Sequence, residues 1–73
     1  MTSTFLKRKP RAFFQEKKAR VLVKLRNIGG EEIQKDEIVT ILRKSSSSDI
    51  SLDIKSDSGV EIGNVWCEQL ELI

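Results

Sequence analysis

From residue 19 to the end of the chain, apolar and polar residues alternate in short runs separated by turn residues. In RVLVKLR, residues 20–26, Val21, Val23 and Leu25 fall on one face and basic residues on the other. Such a period of two predicts a half-buried strand. Residues 37–43, EIVTILR, are rich in β-branched residues and have apolar side chains on both faces, which favours a central strand.

The second half of this region predicts three more strands. DISLDIK, residues 49–55, alternates so that Ile50, Leu52 and Ile54 point inward. A turn at residues 56–59, with Gly59 in a positive-φ position, joins it to VEIGNV in a hairpin. One 3₁₀ turn within residues 65–69 then precedes a last strand at 70–73. The prediction is five short strands, no long helix and an all-β domain.

This pattern resembles the small SH3-like β-barrel in three places. The segment ARVLVKLRN corresponds to the first strand of such domains, and EEIQKDEIVTI resembles their diverging turn and second strand. NVWCEQLELI resembles their 3₁₀ turn and closing strand. The resemblance implies a five-stranded SH3-like barrel over residues 19–73, preceded by a basic N-terminal extension over residues 1–18.

The sequence departs from the SH3-like members that bind proline-rich peptides. Their groove is lined by several Tyr and Trp side chains, whereas this chain has no tyrosine and its long loop, NIGGEEIQ, has no aromatic residue. Only Trp66 corresponds to a groove residue, so we do not expect polyproline recognition. Trp66 is either a core or rim residue, or it marks a protein-binding edge beside Cys67.

Residues 1–18 combine a helix-breaking Pro10 with three of the four aromatic residues of the chain, Phe5, Phe13 and Phe14. Residues 11–18 can form a short helix, which would need a partner surface to persist. Exposed phenylalanine is unfavourable, so we expect the extension to dock. It either covers an open end of the barrel or orders against another macromolecule.

Charge is unevenly divided along the chain. Residues 1–26 carry nine basic residues and one acid, a net charge of +8, whereas residues 27–73 carry four basic residues and ten acids, a net charge of −6. Basic residues interleaved with aromatics suit phosphate neutralisation and base stacking. The candidate binding residues are Lys7, Arg8, Lys9, Arg11, Phe13, Phe14, Lys17, Lys18, Arg20, Lys24 and Arg26. Alternatively, the basic extension neutralises the acidic barrel of its own or a neighbouring chain.

The composition lacks the residues needed for several kinds of metal and catalytic site. With no histidine and one cysteine, Cys67, the usual zinc sites and histidine-based triads are not available, and we expect no cofactor and no enzymatic activity. Cys67 is expected to be a buried apolar residue, and carboxylates such as Asp49 and Asp53 to be solvated outward positions. No apolar run reaches the roughly 18 residues of a membrane span. We expect a cytoplasmic protein, with an organelle matrix as the alternative.

These observations predict a non-enzymatic accessory binding module. Its basic extension would anchor it to RNA, DNA or a nucleoprotein complex, while the barrel contacts a protein. The alternative is a protein–protein adaptor or a regulatory inhibitor, of the kind encoded by phages or mobile elements. It would bind a larger enzyme or assembly through the barrel edge, Trp66 and the extension.

Overall fold

A computed structural model describes all 73 residues and shows a small all-β domain with two short N-terminal helices. The helices are α1 (Ser3–Arg8) and α2 (Arg11–Phe14). The strands are β1 (Lys18–Val21), β2 (Leu25–Arg26), β3 (Glu32–Ile33), β4 (Ile38–Lys44), β5 (Ser51–Ser56), β6 (Glu61–Trp66) and β7 (Leu70–Leu72). A 3₁₀ turn (Cys67–Gln69) joins β6 to β7. Neither helix has the length and apolar composition needed to cross a membrane.

Five of the strands form one antiparallel sheet in the order β6-β5-β4-β1-β7, and β2 and β3 form a separate hairpin. In β1, Ala19 lies opposite Val39 of β4 on one side and Leu72 of β7 on the other. The first and last strands of the chain are therefore neighbours. Strands β6 and β7 are the two edges of the sheet.

The predicted strand positions hold for most of the sheet, and the predicted hairpin turn is confirmed by Gly59, whose φ is +96°. The continuous strand predicted at residues 20–26 is wrong. The Leu22 amide donates to the Gln69 carbonyl (2.9 Å), and the chain then leaves the sheet for the β2–β3 hairpin. Val23 falls at this break and is therefore 43% exposed. The alternation of apolar and polar residues does not show where a strand leaves its sheet, so the sequence did not predict the break.

Two β-bulges alter the faces of the central strands. Leu42 is an extra residue in β4, and β6 places both Gly63 and Asn64 opposite Asp53. Asn64 has a φ of +56°, a left-handed conformation that asparagine tolerates. The prediction that Ile50 points inward is wrong, because it lies in the turn before β5 and is 37% exposed, while Ser51 is buried.

The N-terminal segment packs on the same hydrophobic core as the strands. Leu6 of α1 and Phe14 of α2 are both completely buried and belong to the 14-residue core cluster. The Thr2 hydroxyl accepts from the Phe5 amide (3.1 Å) and caps α1, a helix that the sequence pattern did not predict. The predicted helix at 11–18 ends at Phe14. The sequence left open whether the aromatic residues pack on their own domain or on another macromolecule. In the structure, Phe14 packs in the core of its own domain.

Candidate functional site

The 13 basic side chains divide into those with a carboxylate partner and those without one. Six form ion pairs: Lys7, Lys18, Arg20, Lys24, Arg26 and Arg43. The remaining seven make none, and five of them lie in or beside the N-terminal segment: Arg8, Lys9, Arg11, Lys17 and Lys44. We call these five the cationic surface.

The basic residues of β1 and β2 are neutralised within the domain. Arg20 pairs with Glu71, and Glu32 lies 3.5 Å from the Lys24 ammonium and 3.9 Å from the Arg26 Nε. Each of these side chains was a candidate phosphate ligand in the sequence. Their neighbouring carboxylates repel phosphate, so this face is a weaker anion site than its sequence suggests.

The three phenylalanine rings form a cluster that ties the helices to the core. Phe13 contacts Phe5 and Phe14 edge to face, with ring centroids 6.0 and 5.0 Å apart. The Lys9 and Lys17 ammonium groups lie 4.9 and 4.7 Å from the Phe13 centroid. Phe14 is fully buried and cannot stack on a base without leaving the core. The rings therefore position lysines in this structure rather than present open faces to a ligand.

Lys44 joins the cationic surface from β4, and sequence reasoning missed it because it lies far along the chain from the helices. Its ammonium donates to the Lys9 carbonyl (2.5 Å) and lies 5.5 Å from the Phe14 centroid. Arg11 in turn donates to the Lys44 carbonyl (3.3 Å). These contacts hold Lys44 and Arg11 close together before any ligand arrives.

A polar cavity of about 300 Å³ opens beside this contact, and we call it the cationic notch. Its charged lining comprises Lys7, Arg11, Lys44 and one acid, Asp49. The Asp49 carboxylate is 3.9 Å from the Lys7 ammonium, and both side chains are largely exposed. Three cations against one exposed carboxylate give the notch a net positive charge, which suits an anion such as phosphate.

A second cavity of about 300 Å³ borders the serine-containing loop at residues 45–49, and we call it the Trp66 cleft. Trp66 ends the edge strand β6 and is 48% exposed. The cleft is lined by Ser47, Ser48, Ile50, Ser51, Asn64 and Trp66. Ser48 also lines the cationic notch, so the two cavities share a wall. The Ser51 hydroxyl is buried and has no hydrogen-bond partner.

Asp53 anchors the start of the loop at residues 45–49, which contributes to both cavities. Its carboxylate accepts from the Ser45 hydroxyl (2.7 Å), the Asn64 amide (3.1 Å) and Arg43 (2.9 Å). Burial raises the pKa of Asp53, but these three hydrogen bonds and the Arg43 charge together outweigh it and lower the pKa. The expectation of a solvated carboxylate is wrong here, since the side chain is only 20% exposed. Alternation could not show that two bulges enclose it.

Cys67 is completely buried, as predicted from its character as a small apolar residue. Burial raises the pKa of its thiol, so the reactive thiolate is disfavoured. No group of three His, Cys, Asp or Glu side chains is arranged to hold a metal ion.

Comparison with protein-family models, with curated protein sequences and with solved structures gave no match to this chain. The fold and the two cavities must therefore be interpreted from their own chemistry.

Proposed function

We propose that the protein is a non-enzymatic accessory module that binds nucleic acid through the cationic surface. The observation that carries this proposal is that contacts connect four of the five cations of the cationic surface, none of which has a carboxylate partner. Lys9 and Lys17 share the Phe13 ring, Lys44 contacts the Lys9 carbonyl, and Arg11 contacts Lys44. The predicted protein partner stays a prediction.

Phosphate neutralisation is the physical basis of this binding. Each phosphate contacted by a lysine or arginine releases condensed counterions, which gives affinity without sequence specificity and a strong dependence on salt. Because Lys44 and Arg11 are already held by backbone carbonyls, less side-chain freedom is lost when a phosphate binds. The acidic half of the domain favours one orientation, with the helices toward the phosphates.

For the fold, we propose an SH3-like barrel. Three features support the assignment: β1 lies between β4 and β7, a hairpin occupies the long loop after β1, and a 3₁₀ turn precedes the last strand. These correspond to the segments that carry the resemblance in the sequence. Whether β2 and β3 close the sheet into a barrel can be checked from amide contacts in an NMR structure.

The binding proposal is tested with two matched triple variants. One is Arg8→Ala with Arg11→Ala and Lys17→Ala, which removes three unpaired cations. The other is Arg20→Ala with Lys24→Ala and Arg26→Ala, which removes three paired ones. Fluorescence anisotropy with a labelled 20-nucleotide strand, and with its duplex, gives affinity at several salt concentrations.

We expect the first variant to bind at least about tenfold more weakly at low salt, with a salt slope reduced by roughly 2 for the single strand. The second variant should lose much less, because its side chains are already neutralised. Equal losses in the two variants would contradict the role of the cationic surface. Absence of binding by the unmodified protein at low salt would end the nucleic-acid proposal itself.

A further inference from the structure

We infer that the Trp66 cleft and the cationic notch together hold one nucleotide of a single-stranded nucleic acid, with its base on Trp66 and its phosphate in the notch. This inference rests on the proposed function and specifies the form of its ligand. It also reassigns base stacking from the phenylalanines to the tryptophan. Four observations carry it.

The first observation is the adjacency of the two cavities. Ser48 lines both of them, so the cavities are neighbours. Within one nucleotide, the sugar joins the base to the phosphate. An aromatic site and a cationic site that share a hydroxyl-bearing residue thus match the three parts of a nucleotide.

The second observation is that Trp66 is the aromatic side chain with the accessibility that stacking needs. It is 48% exposed, whereas Phe14 is fully buried and Phe13 is half-buried against two rings and two lysines. A base in a duplex has both faces covered by its neighbours, while an unpaired base can stack on an indole. The cleft therefore favours a single strand.

The third observation is the Ser51 hydroxyl. Ser51 is 5% exposed, lines the Trp66 cleft and has an oxygen without any hydrogen-bond partner. Buried polar groups in native proteins are almost always paired with protein, water or ligand, so the Ser51 hydroxyl marks a position at this cleft where an entering polar group gains a hydrogen bond. The polar edge of a base offers both donors and acceptors. Asn64 presents its amide at the same cleft, held by the Ser47 hydroxyl (2.8 Å).

The fourth observation is the charge of the notch. Lys7, Arg11 and Lys44 line it, and the backbone carbonyls of Lys9 and Lys44 fix two of these side chains. Asp49 is the one acid present, and its side chain is exposed enough to turn toward solvent. A phosphate can then replace the Asp49 carboxylate as the partner of Lys7.

The inference is tested with the intrinsic fluorescence of the full chain, because Trp66 is its only tryptophan. The probes are dT15, rU15 and a 15-base-pair DNA duplex, at low salt, with anisotropy of end-labelled strands as a parallel measure of binding. We expect both single strands to quench Trp66 on binding and the duplex to leave it largely unchanged.

Two variants extend the test. Trp66→Ala should weaken binding of dT15 about tenfold and leave binding of the duplex unchanged, since stacking is lost and phosphate contact is kept. Ile73→Ala, another exposed apolar position beyond the sheet's opposite edge, is the matched control and should bind both probes normally. Ser51→Ala should weaken dT15 severalfold without loss of folding, because it removes a hydroxyl that has no partner in the free protein.

The outcomes separate this inference from the proposed function. Binding seen by anisotropy, with equal affinity for strand and duplex and no quenching of Trp66, would overturn the inference and leave the cationic surface in place. No binding of any probe at low salt would remove both. Affinity for dT15 that survives Trp66→Ala would likewise overturn the inference.

Discussion

The N-terminal helices and the first strands carry similar numbers of basic residues but differ in what those residues contact. Of the five basic residues within 1–17, only Lys7 has a carboxylate partner, whereas all four within 18–26 have one. Sheet register explains the contrast, because Arg20 lies opposite Glu71 and Arg26 lies opposite Glu32. The helices lie beyond the sheet and have no such cross-strand partners. The positive charge available to a ligand therefore depends on which basic residues are paired with carboxylates, and not only on their number.

Removing Phe14, which anchors the helices to the core, should have the largest effect on the difference between the two regions. Phe14→Ala should lower the free energy of unfolding by about 3 to 5 kcal/mol, because a fully buried ring is lost from the core. Urea denaturation followed by Trp66 fluorescence measures the change, and Phe14→Leu provides a folded variant if alanine is not tolerated. The half-buried Phe13 is the matched position for comparison. A loss from Phe14→Ala no greater than that from Phe13→Ala would show that Phe14 is not the main anchor of the helices.

The pairing of Asp53 should have a smaller effect that depends on pH. Its pKa is lower in the folded protein than the ordinary 3.8, so its stabilising contribution is complete above that value and is lost as pH falls through the folded pKa. Asp53→Asn should cost about 1 to 3 kcal/mol at neutral pH. The difference in unfolding free energy between the two proteins should shrink between about pH 5 and pH 2. A difference that stays constant over that range would rule out a contribution from the ionised carboxylate.

Releasing the paired cations should have the smallest effect. Glu32→Gln frees Lys24 and Arg26, and it should raise affinity for a single strand about twofold to fivefold at low salt. Its cost in stability should stay below about 1 kcal/mol, as is usual for exposed ion pairs. Glu37→Gln makes the same charge change without breaking an ion pair, and its affinity should change less. Equal gains in the two variants would mean that net charge, not pairing, decides the difference between the two regions.

The core of the sheet was largely predictable, because Leu52, Ile54 and Ile62 follow a period of two and Gly59 marks a turn. The bulges were not, since a bulge depends on the strand opposite rather than on local sequence. They account for the unexpected environment of Asp53 and for the bend at Asn64. Helix α1 was missed because its single buried residue, Leu6, gives no periodic signal.

The candidate site was predictable only in part. Charge identified Arg8, Lys9, Arg11 and Lys17, and the scarcity of aromatics identified Trp66 as a special position. Lys44, Ser48 and Ser51 join the site through tertiary contacts that span the chain. A window of sequence holds no information on which distant residue will meet a helix. The predicted roles of the rings also changed, because a buried phenylalanine and an exposed one look the same in a sequence.

The position of β1 between β4 and β7 has a consequence for how the protein is made. Residues 18–21 leave the ribosome early, but their partners at residues 70–72 are synthesised much later. The 3₁₀ turn whose Cys67 carbonyl accepts from the Met1 ammonium is also late. During translation the basic segment therefore emerges before most of its docking surface exists. Such long-range pairing folds slowly, so the Trp66 cleft and the cationic notch take shape only when the two halves of the chain meet.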